Sequence, residues 1–180
     1  MPISLYTPAP EFSQPLDLLS ACHRRIGSMT DMLLKLPGHL ASHGADADAG
    51  LAAERVLKYF DSAGQHHHDD EEQNLFPLLR AAAILEGNVD ILALIEDLEA
   101  QHVEMAEAWQ ALRPFLVLLA RHAPVVPEAM PVLRFVTLYR HHIPLEENFL
   151  LPYAERTLDA AQIAQLGQAM AERRGVPHSR

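Results

Sequence analysis

Cysteine is almost absent from this sequence, and it has no excess of positive charge. Cys22 is the single cysteine in 180 residues, which excludes an internal disulfide and fits a reducing compartment. Lysine and arginine total 14 against 24 aspartates and glutamates, giving a formal net charge of -10. Nucleic acid and anionic membranes are therefore poor partners, whereas the charge leaves room for a bound cationic cluster.

Long apolar runs and glycine-rich stretches are also missing. No run reaches membrane-spanning length, and the opening MPISLYTPAPEF lacks the basic start and apolar core of a signal peptide. Only eight residues are glycine, which favours a helical, globular chain, and the length fits one ordinary domain. We expect a soluble cytoplasmic protein.

One stretch occurs twice, 75 positions apart. Residues 66–77 read HHHDDEEQNLFP and residues 141–152 read HHIPLEENFLLP. In each copy a histidine precedes a glutamate by four positions: His67 precedes Glu71, and His142 precedes Glu146. Side chains at this spacing share one face of a helix. Each copy therefore carries a chelating pair.

Apolar residues recur at steps of three and four in four long segments, which predicts four amphipathic helices. The first two inward stripes are Leu16, Leu19, His23, Ile26, Thr30, Leu33, Leu36 or Pro37; and Val56, Phe60, Ala63, His67, Glu71, Asn74, Leu78. The other two are Ile91, Leu94 or Ile95, Leu98, His102, Met105, Trp109, Leu112, Leu116; and Val132, Phe135, Tyr139, His142, Glu146, Phe149 or Leu150. Every stripe thus places one histidine where a leucine is expected. A single such histidine is explained as well by a hydrogen-bonded core residue.

Capping and turn residues set the expected helix boundaries. The predicted starts are Ser13 before Pro15, Asp46 or Asp48, Asn88 or Asp90, a position near Glu128 with Pro131 in the first turn, and a capping box of Asp159 and Gln162 for a short helix stopping at Gly175. The fold class predicted is all-α: an up-down-up-down four-helix bundle over 13–156, after an extended N-terminal arm (1–12) and before a short fifth helix and tail (157–180).

Prolines disturb both chelating pairs. Pro77 predicts a kink or a break just past the first pair. Pro144 lies inside the second pair, so that either the helix bulges there or His141 replaces His142 as the partner of Glu146. The 75-residue shift favours His142.

Four imidazoles and two carboxylates buried in a bundle axis need partners, because each unsatisfied polar group costs roughly 1 to 3 kcal/mol. A cation relieves all of them, and this ligand chemistry suits iron, zinc or manganese. Two metals, each with two histidines and sharing both glutamates, use the set economically. The predicted metal ligands are His23, His67, Glu71, His102, His142 and Glu146.

This combination resembles the hemerythrin-like (HHE cation-binding) family over roughly residues 16–154. The features that carry the resemblance are one histidine on helix one, His-x-x-x-Glu before Leu-Phe-Pro on helix two, one histidine on helix three, and His-x-x-x-Glu on helix four. The resemblance implies two non-haem iron ions with an oxo or hydroxo bridge, with zinc or manganese as substitutes. His23, His67, His102 and His142 would be terminal ligands, and Glu71 and Glu146 would bridge.

Oxygen-carrying hemerythrins use a fifth histidine and one bridging aspartate, whereas this sequence is similar to the bacterial branch with four histidines and two glutamates. That branch implies binding or processing of O2, NO or H2O2 in oxygen or nitrosative stress, or iron handling. The alternative is an oxygen or redox sensor, or an iron-binding module, that signals to a separate partner without catalysis. Enzymatic activity and oligomeric state stay open.

Residues beside the predicted ligands allow further roles. His66, His68 and His141 lie about 100° off the ligand stripe, and are expected at an interface or in solvent unless one is a fifth ligand. Asp69, Asp70, Glu72 and Glu147 are expected to form a solvated acidic rim, in which one carboxylate orients a histidine. Tyr139 either packs in the core or donates a hydrogen bond to a bound ligand.

Overall fold

The computed structural model describes residues 11–176, which form five helices joined by short loops. We number them α1 (Pro15–His43), α2 (residues 47–86), α3 (Val89–Leu119), α4 (residues 132–157) and α5 (Ala160–Arg173). Of the predicted N-terminal arm, positions 1–10 lie outside the described residues.

Helices α1 to α4 form the predicted bundle. Both α1 and α3 pack against α2 and α4, and short loops between successive long helices make neighbours antiparallel. The shorter α5 packs against α1 and against the middle of α2. The all-α, up-down-up-down prediction is confirmed. Within residues 11–176, no helix combines the length and the apolar character needed to cross a membrane.

Three of the predicted helix starts are correct. Asp46 accepts a hydrogen bond from the backbone N–H of Ala49, and Asn88 accepts one from Ile91. Asp159 and Gln162 form the predicted reciprocal capping box at the start of α5. These caps satisfy backbone donors that the first helical turn leaves free.

Two predicted starts are wrong. Ser13 does not cap α1, because the chain turns at residues 11–14 and Gln14 takes the capping position without a side-chain bond. Helix α4 begins at Val132 rather than near Glu128. Residues 127–129 form only a single 3₁₀ turn, and Met130 is extended, as expected for a residue that precedes a proline.

Wide π-helical turns follow both chelating pairs. In α2 the turn covers Glu71–Leu75, and in α4 it covers Glu146–Leu150. The N–H of the residue after each turn donates to the carbonyl of the glutamate that opens it. A proline, Pro77 or Pro152, follows one position later and has no N–H to continue the ladder. Pro77 therefore accompanies a widened turn, and the helix continues to Glu86 without a break.

The wide turn at Glu71–Leu75 corrects the inward stripe predicted for α2. A π turn inserts one extra residue, so the buried face moves on by one position. Leu75 and Leu79 are fully buried, in place of the predicted Asn74 and Leu78. Of the two residues predicted as alternatives for the buried face of α4, Leu150 is buried and Phe149 is exposed.

Two apolar layers fill the bundle, and the histidines and glutamates lie between them. One layer contains Ile26 of α1, Phe60 of α2 and Met105 of α3. The other contains Leu19, Leu75 and the α5 residue Leu166. Along every long helix the predicted ligands are therefore flanked by apolar residues on both sides. This arrangement keeps bulk water away from the polar layer.

Candidate metal centre

All six predicted ligands converge in the polar layer between the two apolar layers. Each is at most 4% exposed. Their nitrogen and oxygen atoms form two sets in which the atoms lie within 4.8 Å of one another: His23, His67, Glu71, Glu146; and Glu71, His102, His142, Glu146. Both sets contain both glutamates, so the centre has two halves that share its carboxylates.

The first half is formed by α1 and α2. His23 Nε2 lies 3.0 Å from Glu146 Oε2 and 3.9 Å from Glu71 Oε1. His67 Nε2 lies 3.5 Å from the same oxygen of Glu71. The inner nitrogens of both imidazoles therefore face carboxylate oxygens from two different helices.

The second half is formed by α3 and α4 and uses the remaining oxygens. His142 Nε2 lies 3.0 Å from Glu146 Oε1, and His102 Nε2 lies 3.6 Å from Glu71 Oε2. The Nε2 atoms of His102 and His142 are only 3.1 Å apart. Because two imidazole lone pairs at this distance repel, a proton or a cation has to lie between them.

Side chains outside the polar layer hold the outer nitrogens of three histidines. The Nδ1–H groups of His23 and His102 donate to Glu147 at 2.5 Å and to Glu72 at 2.7 Å. That of His142 donates to the Gln101 side chain at 3.0 Å. A carboxylate or amide on Nδ1 directs the Nε2 lone pair inward, as metal-binding histidines require.

Several polar atoms in this layer have no hydrogen-bond partner among residues 11–176. Among the predicted ligands they are Nε2 of His23, Nδ1 of His67 and both carboxylate oxygens of Glu71 and Glu146. Leaving such groups unpaired in a dry interior costs roughly 1 to 3 kcal/mol each, and more for charged groups. The unpaired atoms that face the interior of this layer and the mixture of imidazole and carboxylate groups both fit bound divalent or trivalent cations.

The protonation of the buried glutamates and histidines without metal also shows that this layer needs positive charge. Burial and the neighbouring Glu146 charge raise the pKa of Glu71 to about 8. Burial opposes a charge on His23, yet the nearby carboxylates of Glu146 and Glu147 raise its pKa to about 12. Glu146 has a pKa well below its usual range, because His142 and His23 outweigh the effect of burial. Protons thus take the place of cations here.

The structure separates the residues predicted as an acidic rim. Glu72 and Glu147 orient histidines, as expected for one of the four. Asp70 contradicts the prediction, since it is fully buried and forms ion pairs with Arg173 and Arg174 of α5. Its sequence signal was its position three residues after His67, a spacing that places both side chains on the same face of the helix.

His142, and not His141, faces the centre. His141 is exposed, and the helix continues through Pro144 before the wide turn begins at Glu146. His66 is half-buried. His68 lies at the interface of α2 with α3, one of the two expected positions: its ring stacks on that of His102 at 3.9 Å, and its Nε2 is buried without a hydrogen-bond partner among residues 11–176.

Tyr139 packs in the aromatic part of the core. Its ring lies 5.1 Å from that of Phe135 and 5.5 Å from that of Phe60, and it is 6.0 Å from the His68 ring. Burial raises the pKa of its hydroxyl, so it stays protonated. The hydroxyl therefore remains a hydrogen-bond donor at physiological pH.

The fold and this layer define a class of protein: a helical bundle whose core holds a buried cluster of histidines and glutamates that could bind a cation. The model of the hemerythrin HHE cation-binding domain matches residues 14–154, and the chain belongs to that family. It is also 32% identical over 166 residues to a Haemophilus influenzae protein described as uncharacterized, with 92% of each chain covered.

Proposed function

We propose that this protein holds two non-haem iron ions and uses them to bind or process a small ligand, O2, NO or H2O2, in oxygen or nitrosative stress or in iron handling. One observation carries the proposal: two sets of two histidines share both buried glutamates. A single cation would leave one set of inner nitrogens without a partner. Two cations satisfy both sets.

In this proposal the four histidines divide between two metal positions. His23 and His67 hold one, His102 and His142 hold the other, and Glu71 and Glu146 each present one oxygen to either side. Iron supplies reversible one-electron chemistry and open positions at which small molecules bind. Zinc or manganese would accept the same ligands.

The chain's other residues prepare the site for this role. Apolar layers on both sides exclude water and strengthen every electrostatic contact within the polar layer. Glu72, Gln101 and Glu147 fix the orientation of three imidazoles. Each metal position would receive only four protein ligands. Coordination sites therefore stay open for a ligand from solution.

A ligand test addresses the proposal directly. The reduced, iron-loaded protein is exposed to NO, O2 or H2O2 while its absorption spectrum is followed, with zinc-loaded protein as the redox-silent control. We expect a spectral change with at least one ligand in the iron form alone. Reversal on removing the ligand would favour binding or sensing, and repeated turnover would favour an enzyme. An iron form that responds to none of the three would contradict the proposal.

A further inference from the structure

A cleft of about 420 Å³ lies between α1 and α4. Its walls include Gly27 and Asp31 from α1, and Tyr139 and Arg140 from α4. Arg140 Nη2 pairs with Asp31 Oδ1 at 3.2 Å, and both side chains are mostly exposed. The cleft is therefore open to solvent at the end where these two charged residues lie.

The other end of the cleft reaches the candidate centre. His23 and Glu147 both line it. The Nδ1 of His23 bonds to Glu147, while its Nε2 faces Glu146. The imidazole of His23 therefore lies between the cleft and the shared carboxylate of Glu146. Since all six proposed ligands are almost fully buried, a small molecule needs such a route to arrive.

Gly27 faces this cleft from the middle of α1. A Cβ placed there would meet nothing within 4 Å, so packing against neighbouring residues does not require a glycine. Glycine inside a helix is unfavourable relative to alanine. Its effect at this position is to leave the space beside Tyr139 and His23 empty.

A second, smaller cavity approaches from the opposite side of the bundle. It measures about 100 Å³ and lies between α2 and α3, lined by His68, Ala106 and Tyr139 among others. None of the six proposed ligands lines it. Its walls therefore reach the layer beside the centre, but not a ligand side chain.

We propose that the α1–α4 cleft is the entrance through which small ligands reach the metal position of His23 and His67, and that Gly27 keeps this entrance open. The inference rests on the proposed di-iron function and adds a direction of approach to it. A ligand entering here meets the α1–α2 half of the centre first. A side chain at position 27 would narrow the route without touching a metal ligand.

The test uses four variants of the full chain. Gly27→Leu fills the cleft, Gly38→Leu adds the same side chain elsewhere on α1, where a Cβ also meets nothing within 4 Å, and Ala106→Leu fills the second cavity. Gly27→Ala is the milder form of the first change. Azide association with the oxidised iron form is followed by stopped-flow absorbance. Cobalt uptake by metal-free protein supplies a readout that is independent of iron chemistry.

We expect Gly27→Leu to slow azide association and dissociation roughly tenfold, as for a route open one-tenth of the time, with iron content and azide affinity unchanged. Cobalt uptake should slow as well, Gly27→Ala should show a smaller effect, and the other two variants should match the wild type. Slower azide association in Ala106→Leu alone, or in none of the variants, would overturn the proposal that the α1–α4 cleft is the entrance. Wild-type protein that holds no metal would instead overturn the proposed function, which iron analysis detects before any kinetics.

Discussion

In the α3–α4 half of the candidate centre both imidazoles have their outer nitrogen held, whereas in the α1–α2 half only one does. Gln101 and Glu72 bond to His142 and His102, and Glu147 bonds to His23. His67 Nδ1 has no hydrogen-bond partner in the part of the chain that the structure describes. The two halves contain the same kinds of side chain, but they differ in the hydrogen bonds that orient the imidazoles.

This difference has a simple origin in the sequence. Glu72 and Glu147 occupy equivalent positions of the 75-residue repeat, and each reaches across to a histidine of a helix that has no chelating glutamate. Gln101, which directly precedes His102 on α3, supports His142 of the neighbouring helix. The corresponding residue on α1, which directly precedes His23, is Cys22. A thiol is a weak hydrogen-bonding group. We therefore expect the α3–α4 half to hold its cation more tightly and the α1–α2 half to exchange its cation more readily.

Removing a shared carboxylate should abolish the difference by emptying both halves. In Glu71→Ala or Glu146→Ala, each of the two metal positions loses a carboxylate oxygen. One negative charge fewer then faces the two cations. Elemental analysis should show that iron falls from two per chain to near zero, and added iron should no longer raise the unfolding temperature. Glu99→Ala, which removes a surface partner of Arg80, is the control. One iron retained in both variants would remove the bridging assignment.

Helix α5 pairs with Asp70 of α2, which directly precedes Glu71. Replacing Arg173 and Arg174 by alanine leaves the fully buried Asp70 without its ion pairs. An unpaired buried charge costs about 3 to 5 kcal/mol, which urea unfolding of the metal-free protein should reveal. The equivalent position of the other repeat is Leu145, so adding Asp70→Leu should restore most of the stability. A decrease of less than about 1 kcal/mol in the free energy of unfolding of the double arginine variant would argue that these ion pairs do not stabilise the protein.

Gln101→Ala should make the two halves alike. His142 would lose the acceptor of its Nδ1–H, and loss of such an orienting group lowers metal affinity about 10- to 100-fold. In a competition titration with a chelator, only the tighter of two binding steps should weaken. Gln110→Ala, at an exposed position of the same helix, is the matched control. Equal weakening of both steps would contradict the proposed asymmetry.

Proton release should accompany metal loading, because His23 of the α1–α2 half and the shared Glu71 both lose a proton. At pH 7 the metal-free protein keeps protons on His23, with a pKa of about 12, and on Glu71, with a pKa of about 8. A cation displaces both, so affinity should rise with pH by up to about two powers of ten per unit near neutrality. Calorimetry in buffers of different ionisation enthalpy measures the release. Affinity independent of pH between about 6 and 8 would contradict it.

The convergence of these six side chains could be predicted because it follows from short-range regularities. A repeated His-x-x-x-Glu spacing and a histidine on each helical stripe identify all six side chains that the structure brings together. Long-range contacts leave no such pattern. The pairing of Asp70 with α5 joins residues about a hundred positions apart, and the π turn that buries Leu75 in place of Asn74 changes the helical period itself.

The stacking of His68 on His102 shows the same limit. Angular position on an ideal helix places His68 off the ligand stripe, and that much is correct. The structure nevertheless buries its Nε2 against α3, because the neighbouring helix covers this side of α2. Which flank of a helix a neighbour covers depends on bundle packing and not on the spacing of residues in α2.

Metal content per chain, measured together with the optical spectrum of the air-oxidised protein, tests the central claim most directly. If two sets of two histidines share Glu71 and Glu146, the iron-loaded protein should contain two irons per chain and show the charge-transfer bands of a bridged ferric pair. A single iron per chain, or two irons without those bands, would contradict a shared centre.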